Sequence, residues 1–212
     1  MNPKEIYYET LSKTIISNLN NRQMEGYYCP TRKEAVEKAL SFLTPSATVS
    51  YGGSMTLEET GMLDALRSDK TITLLDRSTA KDAAEMKKIY HDALSADFYF
   101  MSTNALTKDG KLVNIDGNGN RVAALIYGPE NVIVLAGMNK IVTTEEEAVS
   151  RVHQTAAPMN CLRLGKKTPC STTGICADCL SPDCICNQTV VTRRSGIPGR
   201  IKVILIGEDF GY

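Results

Sequence analysis

The sequence has no charge of either sign to spare, since 24 Lys and Arg balance 24 Asp and Glu. A nucleic-acid binder normally carries a basic excess, so no nucleic-acid partner is expected. Long hydrophobic runs are missing too. No apolar stretch approaches the roughly 20 residues that cross a bilayer, and no membrane span is expected. The opening MNPKEIYYET lacks the apolar segment of a secretory leader, which makes the cytoplasm the expected compartment. Histidine is scarce. His91 and His153 are the only two, both in helical stretches where surface or packing roles are the ordinary reading, and no Ser/His/Asp set assembles around them. No internal repeat or low-complexity linker divides the 212 residues, so one α/β domain over 1–212 is expected.

Cysteine is present in concentration. Six of the seven fall between Cys161 and Cys186, in CLRLGKKTPCSTTGICADCLSPDCIC, and from Cys170 the spacing is C-x5-C-x2-C-x4-C-x-C. In a reducing compartment such clusters serve as metal ligands or redox groups more often than as structural disulfides. A Cys-x2-Cys pair with further thiols at loop distance suits zinc and iron–sulfur clusters alike, so spacing does not separate the two. The segment 158–187 is rich in Gly, Pro, Ser and Thr and too polar to pack a core, and a bound metal would explain how it stays ordered. Cys29, far from the cluster and beside Pro30, reads as a small buried apolar residue.

The rest alternates between helix and strand. Ile6, Leu11, Ile15 and Leu19 recur at helical spacing. Thr31 with Glu34, Thr56 with Glu59, and Thr144 with Glu147 have the form of helix-opening capping boxes. The second of these opens one helix through Leu57, Leu63 and Leu66; the third opens a helix to about Thr155 that Pro158 ends. Ala47–Tyr51, Thr71–Leu75, Asp97–Met101 and the near-continuous apolar run Val132–Gly137 read as strands, the last buried on both faces. Between Asp109 and Ile126, turn dipeptides flank KLVNI (111–115) and RVAALI (121–126) follows, which predicts a small antiparallel hairpin made of those two runs. Gln188–Thr192 and Ile201–Ile206 return to strand character. The cysteine segment is therefore an insertion ahead of the last strands.

Two loops are candidates for a ligand. YGGSMTLEETG sets Gly52, Gly53 and Ser54 between a strand and a helix, where backbone N–H groups and the helix dipole favour a phosphate or carboxylate. STNALTKDGKLVNIDGNGNRV sets Thr103 and Asn104 after another strand and gathers Asp116, Asn120 and Arg121 in a glycine-rich turn, from which Arg121 could grip an anion. A tight strand-to-helix turn in the first case, and a simple hairpin in the second, are the structural alternatives. Gly117–Asn118–Gly119 is no dinucleotide fingerprint: the third glycine is missing and no helix clearly follows.

Those segments, YGGSMTLEETGM, ADFYFMSTNALTKDGKLVNIDGNGNRVAALIYGPENVIVLAGMNKIV and AAPMNCLRLGKKTPCSTTGICADCLSPDCICN, together resemble the LUD-domain (lactate utilisation, formerly DUF162) family over nearly the whole chain. The resemblance implies a fold like the NagB/RpiA/CoA-transferase superfamily: a parallel-rich sheet flanked by helices, with a small hairpin insert. It implies that Gly52, Gly53 and Ser54 contact a sugar-phosphate or CoA-type ligand, with Thr103, Asn104 and the 116–121 segment lining the same cleft. It further implies a part in oxidising lactate to pyruvate with iron–sulfur and oxidoreductase partner subunits. The pattern TPC…GxCxxC…IC of short family members carries over to Cys170, Cys176, Cys179 and Cys186; Cys161 and Cys184 fall outside it, and Cys184 could replace Cys186.

Two functions follow as expectations. One is an accessory or electron-transfer subunit in lactate oxidation. The other is a small-molecule enzyme or sensor for a sugar-phosphate or CoA-type ligand, with Glu58 or Glu59 as acid or base and a structural zinc site whose excess negative charge Arg163, Lys166, Lys167, Arg193 and Arg194 would offset. The catalytic residues are not assigned, and homo-oligomerisation stays open.

Overall fold

The computed structural model describes residues 2–212. Helix α1 (Pro3–Asn21) begins where Asn2 and Glu5 satisfy each other's backbone N–H groups, and it buries Ile15 and Leu19. Strand β1 (Glu25–Cys29), helix α2 (Arg32–Leu40, capped by Thr31) and strand β2 (Thr48–Tyr51) follow. The single helix expected next is two, α3 (Met55–Glu59) and α4 (Met62–Ser68), broken at Gly61, whose φ of +80° no helix interior tolerates. The cap of α3 is Ser54, whose Oγ accepts from Leu57 N at 3.3 Å; Thr56 lies inside the helix and donates to Phe210 O at 3.2 Å, so the expected Thr56–Glu59 box does not form. Strand β3 (Thr73–Leu75), helix α5 (Ala83–Asp92) and strand β4 (Phe98–Met101) complete the first half.

The middle segment departs from the expected hairpin. Strand β5 (Ala105–Thr107) pairs antiparallel with β6 (Leu112–Asp116), while the run RVAALI forms helix α6 (Asn120–Ile126). Asp116 accepts from Asn118 N and Gly119 N at 3.2 and 2.9 Å, and Gly119, at φ +83°, turns the chain into α6. Packing then decides for helix: Val122, Ala124 and Leu125 are buried. A helix does follow Gly117–Asn118–Gly119, although the third glycine of a fingerprint is still absent.

Strand β7 (Asn131–Gly137) is buried throughout its last six residues and leads through a short turn to β8 (Ile141–Val142). Helix α7 (Glu145–Arg151) does not stop at Pro158. One π-helical turn, Val152–Ala156, carries it into α8 (Ala157–Arg163), where Pro158 occupies the first turn and needs no N–H partner. The cysteine segment opens within α8, which carries Cys161, contains one further short helix, α9 (Pro169–Thr173), and ends at β9 (Gln188–Thr192); β10 (Ile201–Ile206) is the last strand.

Six strands form an all-parallel sheet in the order β1-β10-β7-β4-β2-β3, and a smaller mixed sheet runs β8-β5-β6-β9. Both faces of the large sheet are covered. Val132, Val134, Val203 and Leu205 pack toward Ile15, Leu19 and α6, while Ile133, Leu135, Ile204 and Ile206 pack toward α2, α3 and α4. That double burial is why these strands read as unbroken apolar runs. From β2 the chain goes to β3 on one side and returns to β4 on the other. The crevice of such a sheet opens at this reversal, at the C-terminal ends of the strands.

Arg200, nine per cent exposed, locks α6 to the sheet. It donates to the backbone oxygens of Ala124, Leu125 and Pro129 at 2.9, 2.7 and 2.9 Å. Arg200→Met leaves three buried carbonyls without donors. The expected result is a loss of about 2–3 kcal/mol, seen as a lower urea midpoint at unchanged slope.

Candidate functional site

A cleft of about 380 Å³ opens at that crevice. Gly53 and Ser54 come from the end of β2, Ser102, Thr103 and Asn104 from the end of β4, Asp116 and the 117–121 turn from the end of β6, and Lys140 from beyond β7. Ala156, Ala157, Asn160 and Arg163 close one side, and Tyr212 another. The two loops singled out in the sequence thus meet in one cavity. Gly52 alone of their candidate residues does not line it. A side chain there would stand 3.0 Å from the Tyr99 hydroxyl and 3.1 Å from Arg121 Cδ, so Gly52 is a glycine because Arg121 crosses it.

Arg121 organises the cleft, and both its amino groups are fully engaged within the protein. Its Nη1 donates to Ser102 O and to Asn114 Oδ1, its Nη2 to Asn104 Oδ1 and Ile115 O at 3.0 and 2.9 Å, and its Nε faces Asp116 Oδ2 at 3.3 Å. A guanidinium has five N–H donors; four of them make hydrogen bonds within the protein, and Nε stands in the ion pair with Asp116. The anion grip read from the sequence therefore passes to other cations on the wall: Arg77, Lys140, Arg163 and Lys166. Arg77 lies against Gly53, its Nη1 2.8 Å from where a Cβ would stand, and over the Tyr90 ring at 5.3 Å. These cations come from three separate segments, and only the fold brings Arg77, Lys140 and the Arg163–Lys166 stretch together. Arg163 and Lys166 had been expected to offset cage charge; both line the cleft, Lys166 with Asp183 at 3.9 Å. Helix α3 spans only five residues, so its dipole is small and the positive potential comes from side chains. Glu58 and Glu59 do not line the cleft; Glu59 accepts from Gly211 N at 2.7 Å.

Three buried polar atoms have no hydrogen-bond partner among the described residues, and all belong to this region: Asn114 Nδ2, Asp116 Oδ2 and the Tyr212 hydroxyl. Asp116 and Tyr212 line the cavity, and Asp116 Oδ2 stands 3.3 Å from Arg121 Nε.

A second cavity, about 190 Å³, is lined by Cys161, Cys170, Cys176, Cys179, Cys184 and Cys186 together. His153, set aside in the sequence, also lines it, its Nδ1 3.4 Å from Cys176 Sγ. The π-helical turn delivers His153 there from 23 residues away, a distance at which no spacing rule could have flagged it. Cys161 reaches the same cavity from α8. Burial first, then the neighbouring Cys184, Cys161, Cys176 and Cys170, push the Cys186 thiol up to about 12. Hydrogen bonds from Ser181 hold the Cys179 thiol below its ordinary value. Soft sulfur donors converging on a small cavity match thiolate ligation of zinc or an iron–sulfur cluster in chemistry. Among the described residues no three His, Cys, Asp or Glu side chains are placed to hold an ion.

The cavities share a wall, lined on both sides by Ala157 and Ile185. Ile185 packs 3.2 Å from the Cβ position of Gly117, Asn187 Nδ2 donates to Gly117 O at 2.8 Å, and Asn187 N to Asp116 O at 3.0 Å. The cysteine segment is thus continuous with the cleft.

A mostly parallel sheet covered on both faces, with a polar cleft at its reversal point and a thiol-lined cavity against that cleft, defines an α/β protein. The chain belongs to the LUD-domain family, whose model matches residues 12–206, and in that general sense is a lactate-utilisation-type protein. A DUF162 family protein from Deinococcus radiodurans superposes with a TM-score of 0.54 at 11% identity, over 94% of this chain and 98% of that one. Ribose 5-phosphate isomerase A from Neisseria gonorrhoeae aligns with a TM-score of 0.35 at 15% identity, over 65% of this chain and 68% of that one. The delta subunit of eIF2B from Chaetomium thermophilum aligns at 0.37 and 17%, over 66% and 54%. No curated protein matches the chain. No helix of the described residues is long and apolar enough to cross a membrane.

Proposed function

We propose that this protein is an accessory electron-transfer subunit of lactate oxidation, holding a small carboxylate in the cleft and a thiolate-bound iron–sulfur cluster in the cysteine pocket. The observation that carries the reading is the shared wall of Ala157 and Ile185 between the two cavities. An appendage that only held its own loop would gain nothing from that position. Cys170, Cys176, Cys179 and Cys186 are the family-pattern ligands, with Cys161, Cys184 and His153 on the same cavity. A cluster so bound supplies one-electron transfer. The chain's own part is to bind and orient: Arg77, Arg163 and Lys166 attract the carboxylate, and Arg121 keeps Asn104 and Asp116 in place.

Protein purified without oxygen is expected to contain iron and acid-labile sulfide, to absorb in the visible, and to bleach on reduction. Colourless protein with one zinc per chain overturns the redox reading. That result would favour a sugar-phosphate or CoA-type enzyme or sensor with a structural zinc, a reading supported by the same cationic lining, which has charge enough for a phosphate.

A further inference from the structure

The π-helical turn at Val152–Ala156 decides which side chains of the α7–α8 helix reach the thiol cavity. His153 and Cys161 both line that cavity, and Ala157, midway between them, lines the same wall. Eight residues of uninterrupted α-helix would set His153 and Cys161 about 80° apart around the axis. The extra residue that a π turn absorbs brings them within about 20°, and such single turns mark functional sites more often than not. His153 Nδ1 stands 3.4 Å from Cys176 Sγ, the ring's only hydrogen-bond partner among the described residues. A tetrahedral ion bonded to sulfur at about 2.3 Å and to imidazole nitrogen at about 2.0 Å holds those two atoms about 3.5 Å apart. The pair therefore has the separation of one edge of such a site. Cys176 also opens the Cys-x2-Cys turn, where the Asp178 N–H donates to the same sulfur at 3.4 Å. A backbone N–H aimed at a sulfur is the kind of outer contact that steadies a ligand thiolate.

We propose that His153 is a metal ligand through Nδ1 beside Cys176, so that the centre in the cysteine pocket is of mixed imidazole and thiolate type. The inference rests on that pocket holding a metal. It includes closure of the loop that carries Cys176 and Cys179 onto the helix that carries His153, since among the described residues no three donors are placed to hold an ion. A neutral imidazole in place of a thiolate makes the centre less negative, and on an iron–sulfur cluster that exchange raises the reduction potential.

The test uses the full chain, labelled with 15N at histidine and purified without oxygen. One sample is loaded with iron and sulfide, another with Zn2+ alone. The chain has only two histidines, and His91, in α5, does not line the pocket and serves as the internal control. The expected result is electron–nuclear coupling to a histidine nitrogen in the reduced iron sample. In the zinc sample the His153 Nδ1 resonance should shift while those of His91 stay in place. His153→Leu should lose the coupling and bind Zn2+ at least about tenfold more weakly. His153→Cys restores a soft donor, so it should recover metal content and lower the cluster's potential, which a packing role for His153 would not produce. Metal that binds with neither coupling nor an Nδ1 shift overturns the imidazole ligand and leaves an all-thiolate centre. If neither iron nor zinc binds, the metal pocket of the proposed function falls with it.

Discussion

Arg121→Met is expected to destabilise the protein by about 3–5 kcal/mol, the cost of removing one partner from a buried ion pair. Asp116 is eight per cent exposed, and with Arg121 gone its carboxylate keeps hydrogen bonds from Asn118 N and Gly119 N but loses its only salt-bridge partner. The backbone oxygens of Ser102 and Ile115, and the side chains of Asn104 and Asn114, lose donors at the same time. Chemical denaturation reads the stability. Ligand calorimetry reads the second effect: the ends of β4 and β6 are no longer tied together, so anion affinity should fall even though Arg121 is not itself a ligand. Arg121→Lys separates charge from geometry. It retains the charge but cannot make the four hydrogen bonds of the guanidinium, and rescue of stability beyond about half would mean that the fork of hydrogen bonds matters less than the charge. Undiminished stability in the methionine variant would refute the organising role.

If the cysteine pocket holds the proposed cluster or zinc, the double variant Cys176→Ser/Cys186→Ser is expected to lower bound metal to less than about a tenth of the unaltered protein's, because a hydroxyl is a far weaker ligand than a thiolate for zinc or iron–sulfur iron. Cys29→Ser is the control. Cys29 lies in β1, in the core cluster with Ala35 and Val49, and should leave metal content unchanged. Hydrogen exchange gives an independent readout. Amides of residues 164–187 should lose protection in the double variant while those of the large sheet keep theirs, since metal binding and the order of such a segment are coupled. Full metal retention would place the ligands elsewhere.

How much of this could be read from the sequence depended on what each segment answers to. Strands of the large sheet are buried on both faces, and β7 and β10 announce themselves as apolar runs. Helix α6 did not, because Val122 and Ile126 favour a strand locally, whereas the turn at Asp116 and Gly119 and the clamp of Arg200 impose a helix. The break at Gly61 and the passage of the helix through Pro158 hinge on backbone geometry that periodicity does not record. The cleft loops were legible because each joins the end of a strand to a turn rich in glycine and small polar groups. The cations that give the cleft its charge were not, since Arg77, Lys140, Arg163 and Lys166 are scattered along the chain. Cysteine clustering was plain in the sequence. Its contact with the cleft was not, as it arises from β9 pairing with β6, in the register Asp116 to Gln188.

The strand order has a consequence for how the molecule must assemble. β1 pairs only with β10, and β10 pairs on its other side with β7. The first strand in the sequence therefore has no neighbour until the last one arrives, some 175 residues later. In between, β3, β2, β4 and β7 pair with one another without β10, and α1 meets the β5–β6 turn through Asn18 and Arg22, so β1 alone lacks a sheet neighbour. The insertion of β10 is then a single closing event. It joins β1 to the sheet and brings in Arg200, which fixes the end of α6 beside the cleft. A chain interrupted before residue 201 would hold two unmatched sheet edges and an exposed apolar face, the form most open to aggregation and to capture by chaperones.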